Sequence, residues 1–122
     1  MSESPNEISE IKSDVVRAQL QTIQECTYEI DREKVRVEKR ISQKMDIGAL
    51  FSQLYAVCEK NEGNSACKNT KQHLTVLEDA EALEVSMLQG KVSGLDKAVS
   101  YLEAAFNEIY KAYAHSLKDE SA

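Results

Sequence analysis

Residues 88–113 read LQGKVSGLDKAVSYLEAAFNEIYKAY. Within them Leu88, Val92, Leu95, Val99, Leu102, Phe106, Ile109 and Tyr113 recur at alternating steps of four and three. That rhythm keeps one stripe of apolar side chains on one side of an α-helix and is the heptad seam of helices that pack side by side. A strand would need alternation at every second residue, which this stretch lacks. The seam therefore predicts an all-α fold in which this helix lies along at least one other.

Gly90 and Gly94 interrupt the same stretch, and Ser93 with Asp96 has the form of a capping box that starts a new helix. The seam nevertheless keeps its phase across them, which a turn would not require. A continuous or kinked helix is expected there. Upstream, Cys67, Leu74, Leu77 and Val85 extend the stripe with one irregular step, read as a local change of winding.

Moving outward, Asn61-Glu62-Gly63-Asn64-Ser65 is the plainest punctuation in the chain. Two Asn and a Gly suit left-handed backbone, and Ser65 is available as the N-cap of the following helix. The expected organisation is a tail over residues 1–6, a single helical domain over 7–118, and a second tail over 119–122, both tails disordered. The domain has arms 7–61 and 66–118 about a turn at 61–65. As one helix each, the arms would run roughly 80 Å at about 1.5 Å per residue. Folding them about Gly63 makes the numbers of facing residues sum to about 127 in an antiparallel pair. That register sets Phe51 near Val76, Leu50 near Leu77, Ile23 near Ala104, and Cys58 beside Cys67.

The first arm is less regular. Ile8, Ile11, Val15 and Ala18 form one stripe, and Ile23, Cys26, Ile30, Val37 and Ile41 a second in shifted phase. Ile47, Leu50, Phe51, Leu54, Tyr55, Val57 and Cys58 then make an apolar face wider than a two-helix seam. Met45-Asp46-Ile47-Gly48 has the makings of a break. The alternative to a long antiparallel hairpin is thus a three- or four-helix bundle, with helices near 8–45, 46–61, 66–89 and 94–118. In a hairpin, the surplus apolar residues of 47–58 and 101–113 need a further partner.

Composition agrees with long helices and narrows the function. The 122 residues include one proline and four glycines, with 42% apolar and 30% charged side chains. A net charge of −6 argues against nucleic acid, whose phosphates require a cationic surplus. The longest apolar runs fall far short of the ~20 residues that span a bilayer, so no membrane insertion is expected. Met1 to Glu10 have neither the basic start nor the apolar stretch of a secretory signal, which sets the cytoplasm, or the nucleus, as the expected compartment. Cys26, Cys58 and Cys67 have no C-x-x-C spacing and read as free thiols.

Enzymatic signatures are missing from the sequence. There is no phosphate-binding glycine loop, no dinucleotide turn and no nucleophile elbow. His73 and His115 lack a second ligand at helical spacing, so no metal, cofactor or small-molecule substrate is expected. Two features point instead to protein contacts. Residues 31–44 carry six basic and three acidic side chains, and Arg32, Arg36, Lys39 and Arg40 line up as a basic stripe. Such a stripe is either a dock for an acidic partner or a solvated face balanced by Glu78, Asp79, Glu81 and Glu84. Tyr101 and Tyr110 stand off the seam among alanines, and they read either as interface anchors or as contacts to a third helix of the same chain.

The expected function is therefore a non-enzymatic interaction subunit of a homo- or hetero-oligomeric complex, with other protein subunits as partners. The alternative is a monomeric helical chaperone or adaptor that holds one client through the basic stripe or the tyrosine face. A ligand- or metal-binding bundle enzyme is the third class, and retained metal or cofactor after purification would single it out.

Overall fold

The computed structural model describes residues 8–121, and among them there is no strand. Helix α1 spans Asp14–Lys60 and helix α2 spans Ser65–Ser121, and the two pack as a hairpin. Neither helix breaks where the sequence suggested it. α1 runs through Asp46-Ile47-Gly48 and α2 through Gly90 and Gly94, so the bundle of four short helices does not form. The first arm becomes helical as α1 only at Asp14, while α2 continues to Ser121, beyond the second arm's expected end. The expected tail over 1–6 lies outside the described residues.

The ends are capped by side chains. The Ser13 hydroxyl accepts the Val16 N–H at 3.3 Å and its carbonyl the Arg17 N–H at 2.9 Å, which makes Ser13 the cap of α1. Asp14 adds a carboxylate to the positive end of the helix. At the other end, the Asn61 side chain donates to the Val57 carbonyl at 2.9 Å. The N-cap of α2 is Asn64, not Ser65: its side-chain oxygen accepts the Cys67 N–H at 3.1 Å and its carbonyl the Lys68 N–H at 3.0 Å. No described residue, Gly63 included, has a positive φ. The turn is closed by three-residue hydrogen bonds from Asn61 N–H to Cys58 O and from Asn64 N–H to Asn61 O, so left-handed backbone is not needed.

Burial reveals a heptad in both helices. On α2 the covered positions are Cys67, Lys71, Leu74, Glu78, Glu81 and Val85, followed without a slip by Leu88 to Tyr113 of the predicted seam. The irregular step expected near Leu77 is absent. Leu77 points outward, half exposed, and Glu78 and Glu81 hold the seam positions. On α1 the matching series is Val16, Leu20, Ile23, Thr27, Ile30, Lys34, Val37, Ile41, Lys44, Gly48, Phe51, Tyr55 and Cys58. Val15, Ala18 and Cys26, placed in stripes from sequence, are exposed. Facing partners such as Lys44 with Glu81 and Tyr55 with Thr75 lie within a turn of the expected register. The particular pairs were offset, because Val76, Leu50, Leu77 and Ala104 all stand outside the seam.

The chain divides into two compact units, residues 1–34 with 94–122 and residues 35–93. In the first, Ile8, Ile11, Leu20 and Phe106 are almost fully covered and form one core, with Val16, Ile23, Ile109, Tyr110 and Tyr113 packed against it. The segment before α1 thus folds back on the hairpin. The Lys12 N–H donates to the Tyr113 hydroxyl at 3.2 Å, and the Arg17 guanidinium donates to the Ile11 carbonyl at 2.8 Å. In the second unit Val37, Cys58 and Leu74 are the buried apolar residues.

Candidate interaction face and the polar seam

The second unit leaves a large share of its apolar side chains in water. Ile47, Leu50, Leu54 and Val57 are between 39% and 61% exposed, and Leu77 and Met87 are 49% and 67% exposed. Each of these six precedes a seam residue by one position: Gly48, Phe51, Tyr55 and Cys58 on α1, Glu78 and Leu88 on α2. Residues one step before the seam project to the same side of an antiparallel pair, because reversing a helix also reverses its sense of rotation. The electrostatics agree with this. Beside the dominant Lys44, the charge of Arg40, one before Ile41, also helps lower Glu84, one before Val85. The opposite side carries mostly small or polar residues, such as Ala49, Ser52, Ala56, Gln72, Asp79 and Ser86, with Val35 and Met45 as exposed apolar exceptions. One side of this unit therefore carries a continuous apolar ladder over residues 47–57, and the other is mainly small and polar around the same residues.

The ladder continues into charge. Arg36 and Arg40 occupy the same pre-seam positions of α1 as Leu50 and Ile47, and Lys91 does so on α2. Of the basic stripe read from sequence, these two arginines share the apolar side, while Lys39 lies at the outer edge of α1. Arg32 belongs to the first unit, where it pairs with Glu29 at 3.3 Å and lies 5.7 Å from the centre of the Tyr28 ring. The two tyrosines also part company. Tyr110 packs partly buried against the Ile8–Phe106 core, whereas Tyr101 is 74% exposed. The third contact that Tyr110 required comes from the chain's own N-terminal segment.

Sequence reasoning missed the polar seam. The acids Glu81 and Glu84 are taken by Lys44, a residue outside the stripe. Its ammonium lies 2.9 Å from Glu81 Oε2 and 2.7 Å from Glu84, with a side chain only 13% exposed. A hydrogen bond to Glu81 Oε1 at 3.1 Å is well aligned. Oε2, itself covered, has the charge but no aligned donor. The signal was available, since Lys44, Glu78 and Glu81 all fall on the heptad phase once it is carried unbroken from Leu88. In the first unit Lys34 pairs with Asp96 at 2.7 Å.

Hydrogen bonding to Glu84 and then Glu81 raises the Lys44 ammonium above the ordinary lysine value, and Lys44 holds Glu84 below the usual carboxylate range. A raised base stabilises the fold below its unfolded pKa and loses that contribution as pH rises through the folded value. A depressed acid does so above its unfolded pKa and loses it as pH falls through the folded one. Thermal melts should show a plateau through neutral pH, with falls on the alkaline side from Lys44 and the acid side from Glu84. Lys44→Met should reduce the alkaline fall, leaving the part that the raised Cys58 thiol contributes to the same limb, and an unchanged alkaline limb would show that Lys44 does not contribute to it.

Cys58 and Cys67 are free thiols that meet beside the turn. Burial pushes the Cys58 thiol up, and its neighbour Cys67 adds to the effect. Among the described residues no cluster of His, Cys, Asp and Glu is arranged to hold a metal, and no helix is long and apolar enough to cross a membrane. Comparison with protein families, curated proteins and solved structures finds no match. The class that the fold defines is an all-α helical hairpin.

Proposed function

We propose that the chain is a non-enzymatic interaction subunit of a homo- or hetero-oligomeric complex, and that the ladder of residues 47–57 with Leu77 and Met87 is where it assembles. The contrast between the two units carries this reading. Around Phe106, the surplus apolar surface is covered by Ile8 and Ile11 of the same chain. Around Leu50 it stays open. Covering a large aliphatic side chain fully is worth about 1.5–3 kcal/mol. Six half-exposed ones thus hold several kcal/mol in reserve that a covering partner would release.

Charge supports the same unit. Residues 35–93 carry eight basic and eight acidic side chains, so the formal charge of −6 belongs to the rest of the chain. A neutral, apolar stretch is prone to associate, and an acidic one is not. The monomeric adaptor remains the second reading, favoured by the self-closed core around Phe106.

Size-exclusion chromatography of the tagged chain in extract from its own cells tests the proposal. The expected result is elution well above 13.7 kDa, with a Leu50→Ser/Leu54→Ser variant moving to the monomer position at unchanged helicity. Elution of the unaltered chain as a monomer would instead favour the adaptor.

A further inference from the structure

We infer that Cys58 and Cys67 form a reversible disulfide site, which a small-molecule disulfide such as oxidised glutathione converts from two thiols into a clip across the turn. The inference rests on different observations from the interaction face, so its failure leaves that reading untouched.

The first observation is register. The Lys44 ammonium meets Glu81 at 2.9 Å, which sets these two seam positions opposite one another. Cys58 lies two heptads after Lys44 on α1, and Cys67 lies two heptads before Glu81 on α2. In an antiparallel pair, equal steps in opposite directions keep residues level, so the two sulfurs share the seam layer next to the turn. The turn itself is short and closed by its own bonds. The Asn61 N–H donates to the Cys58 carbonyl at 3.2 Å, and the Cys67 N–H donates to the Asn64 side-chain oxygen at 3.1 Å. A disulfide needs facing side chains whose Cα atoms come within about 7 Å, and this layer supplies them. Contact between the thiols is felt chemically, since Cys67 acts on Cys58 through its charge and a side-chain hydrogen bond.

The second observation is unequal access. Cys58 is 4% exposed, whereas Cys67 is only half-buried. Exchange requires a thiolate that reaches the incoming sulfur, so Cys67 reacts first. Its thiolate attacks one sulfur of oxidised glutathione, the S–S bond breaks, and one glutathione leaves and takes up the proton that Cys67 gave up. Cys58 then loses its proton, attacks Cys67 Sγ and expels the second glutathione, which takes that proton. One disulfide is consumed, one is formed, and two glutathione thiols are released. Burial pushes the Cys58 thiol up and makes it a poor first nucleophile, while Lys71, one helical turn beyond Cys67, eases its ionisation for the closing step.

Cys26 supplies an internal contrast. It is exposed, and the unit of residues 1–34 with 94–122 holds no other cysteine. It can take up glutathione but has no neighbour with which to shed it.

The test equilibrates the folded full chain with mixtures of reduced and oxidised glutathione, blocks the remaining thiols and maps tryptic peptides by mass spectrometry. Cleavage after Lys44, Lys60 and Lys68 puts Cys58 in peptide 45–60 and Cys67 in peptide 61–68, so a bond between them appears as a linked pair. The expected result is this linked pair in the unaltered chain, reversed by excess reduced glutathione, with glutathione retained on Cys26. The folded chain should stay half-linked in a mixture at least about tenfold more reducing than the chain in urea, because the fold holds the sulfurs together. Cys58→Ala should keep glutathione on Cys67, and Cys67→Ser should leave Cys58 unmodified while Cys26 still reacts, both at unchanged helicity. Glutathione that persists on Cys67 of the unaltered chain overturns the inference, as does a Cys67 that does not react. Half-linking in folded chain that needs the same mixture as in urea, or a more oxidising one, overturns it too.

Discussion

Replacing Phe106 by aspartate is expected to abolish cooperative folding of the unit that contains it. Phe106 is 1% exposed and sits at the centre of the core formed with Ile8, Ile11 and Leu20. Truncation to alanine alone leaves a cavity and costs about 3–5 kcal/mol. Aspartate adds the penalty of a charge without a partner in an apolar site. The combined loss is comparable with the roughly 5–15 kcal/mol that holds a small domain together. Urea melts followed by helicity should show the loss, with Phe106→Ala intermediate. Leu102→Asp should be milder, because Leu102 is only half-buried. Tyr101→Ala, one residue further out on the same turn, should stay within about 0.5 kcal/mol of the parent. Native-like melting of Phe106→Asp would mean that the seam of α2 is misassigned.

The second large effect runs in the opposite direction. Gly48, Gly90 and Gly94 all lie inside continuous helices with ordinary backbone angles, and a methyl group added at any of them would meet nothing within 4 Å. Alanine is favoured over glycine in a helix interior by about 1 kcal/mol. The triple variant should gain about 2–3 kcal/mol, a rise in melting temperature on the order of 10 °C for a chain of this size. Gly63→Ala serves as the control. Its turn needs no positive φ, so the usual penalty for alanine should be absent. A fall in stability at Gly90 or Gly94 would reveal a kink that the helix requires, and a fall at Gly48 would reveal a seam too tight for a methyl group.

The fold was legible from one stretch and obscured in others for a simple physical reason. Between Leu88 and Tyr113 every seam position is apolar, so periodicity and burial coincide. Elsewhere the seam itself carries Thr27, Lys34, Lys44, Gly48, Lys71, Glu78 and Glu81. A reading that follows hydrophobicity leaves the heptad at those positions and hops to Val15, Cys26 or Leu77, which face water. The ion pairs that make charged seam residues tolerable, such as Lys44 with Glu81 and Glu84, exist only once both helices are in place. Such polar layers add less stability than an apolar layer and fix the register of the helices instead.

The open apolar side was legible in outline. The breadth of the apolar run 47–58 required a further contact, and the structure separates Phe51, Tyr55 and Cys58 of the seam from Ile47, Leu50, Leu54 and Val57 of the ladder. What one-dimensional pattern does not encode is which surplus the chain covers itself. The return of Ile8 and Ile11 onto Phe106 joins residues from opposite ends of the sequence, and Tyr110 packs partly buried against that core. The same reasoning explains why the basic stripe divided: Arg36 and Arg40 precede seam positions, Lys39 does not, and Arg32 falls in the other unit.

Site-specific photo-crosslinking in the native cell tests the proposed interaction face most directly. A photoreactive residue at Leu54 of the tagged chain should join it to another polypeptide, while the same residue at Ser52, two positions away on the opposite side, should leave the chain uncoupled. Equal coupling from both positions, or none from Leu54, would contradict the assignment of this face as the surface through which the hairpin assembles.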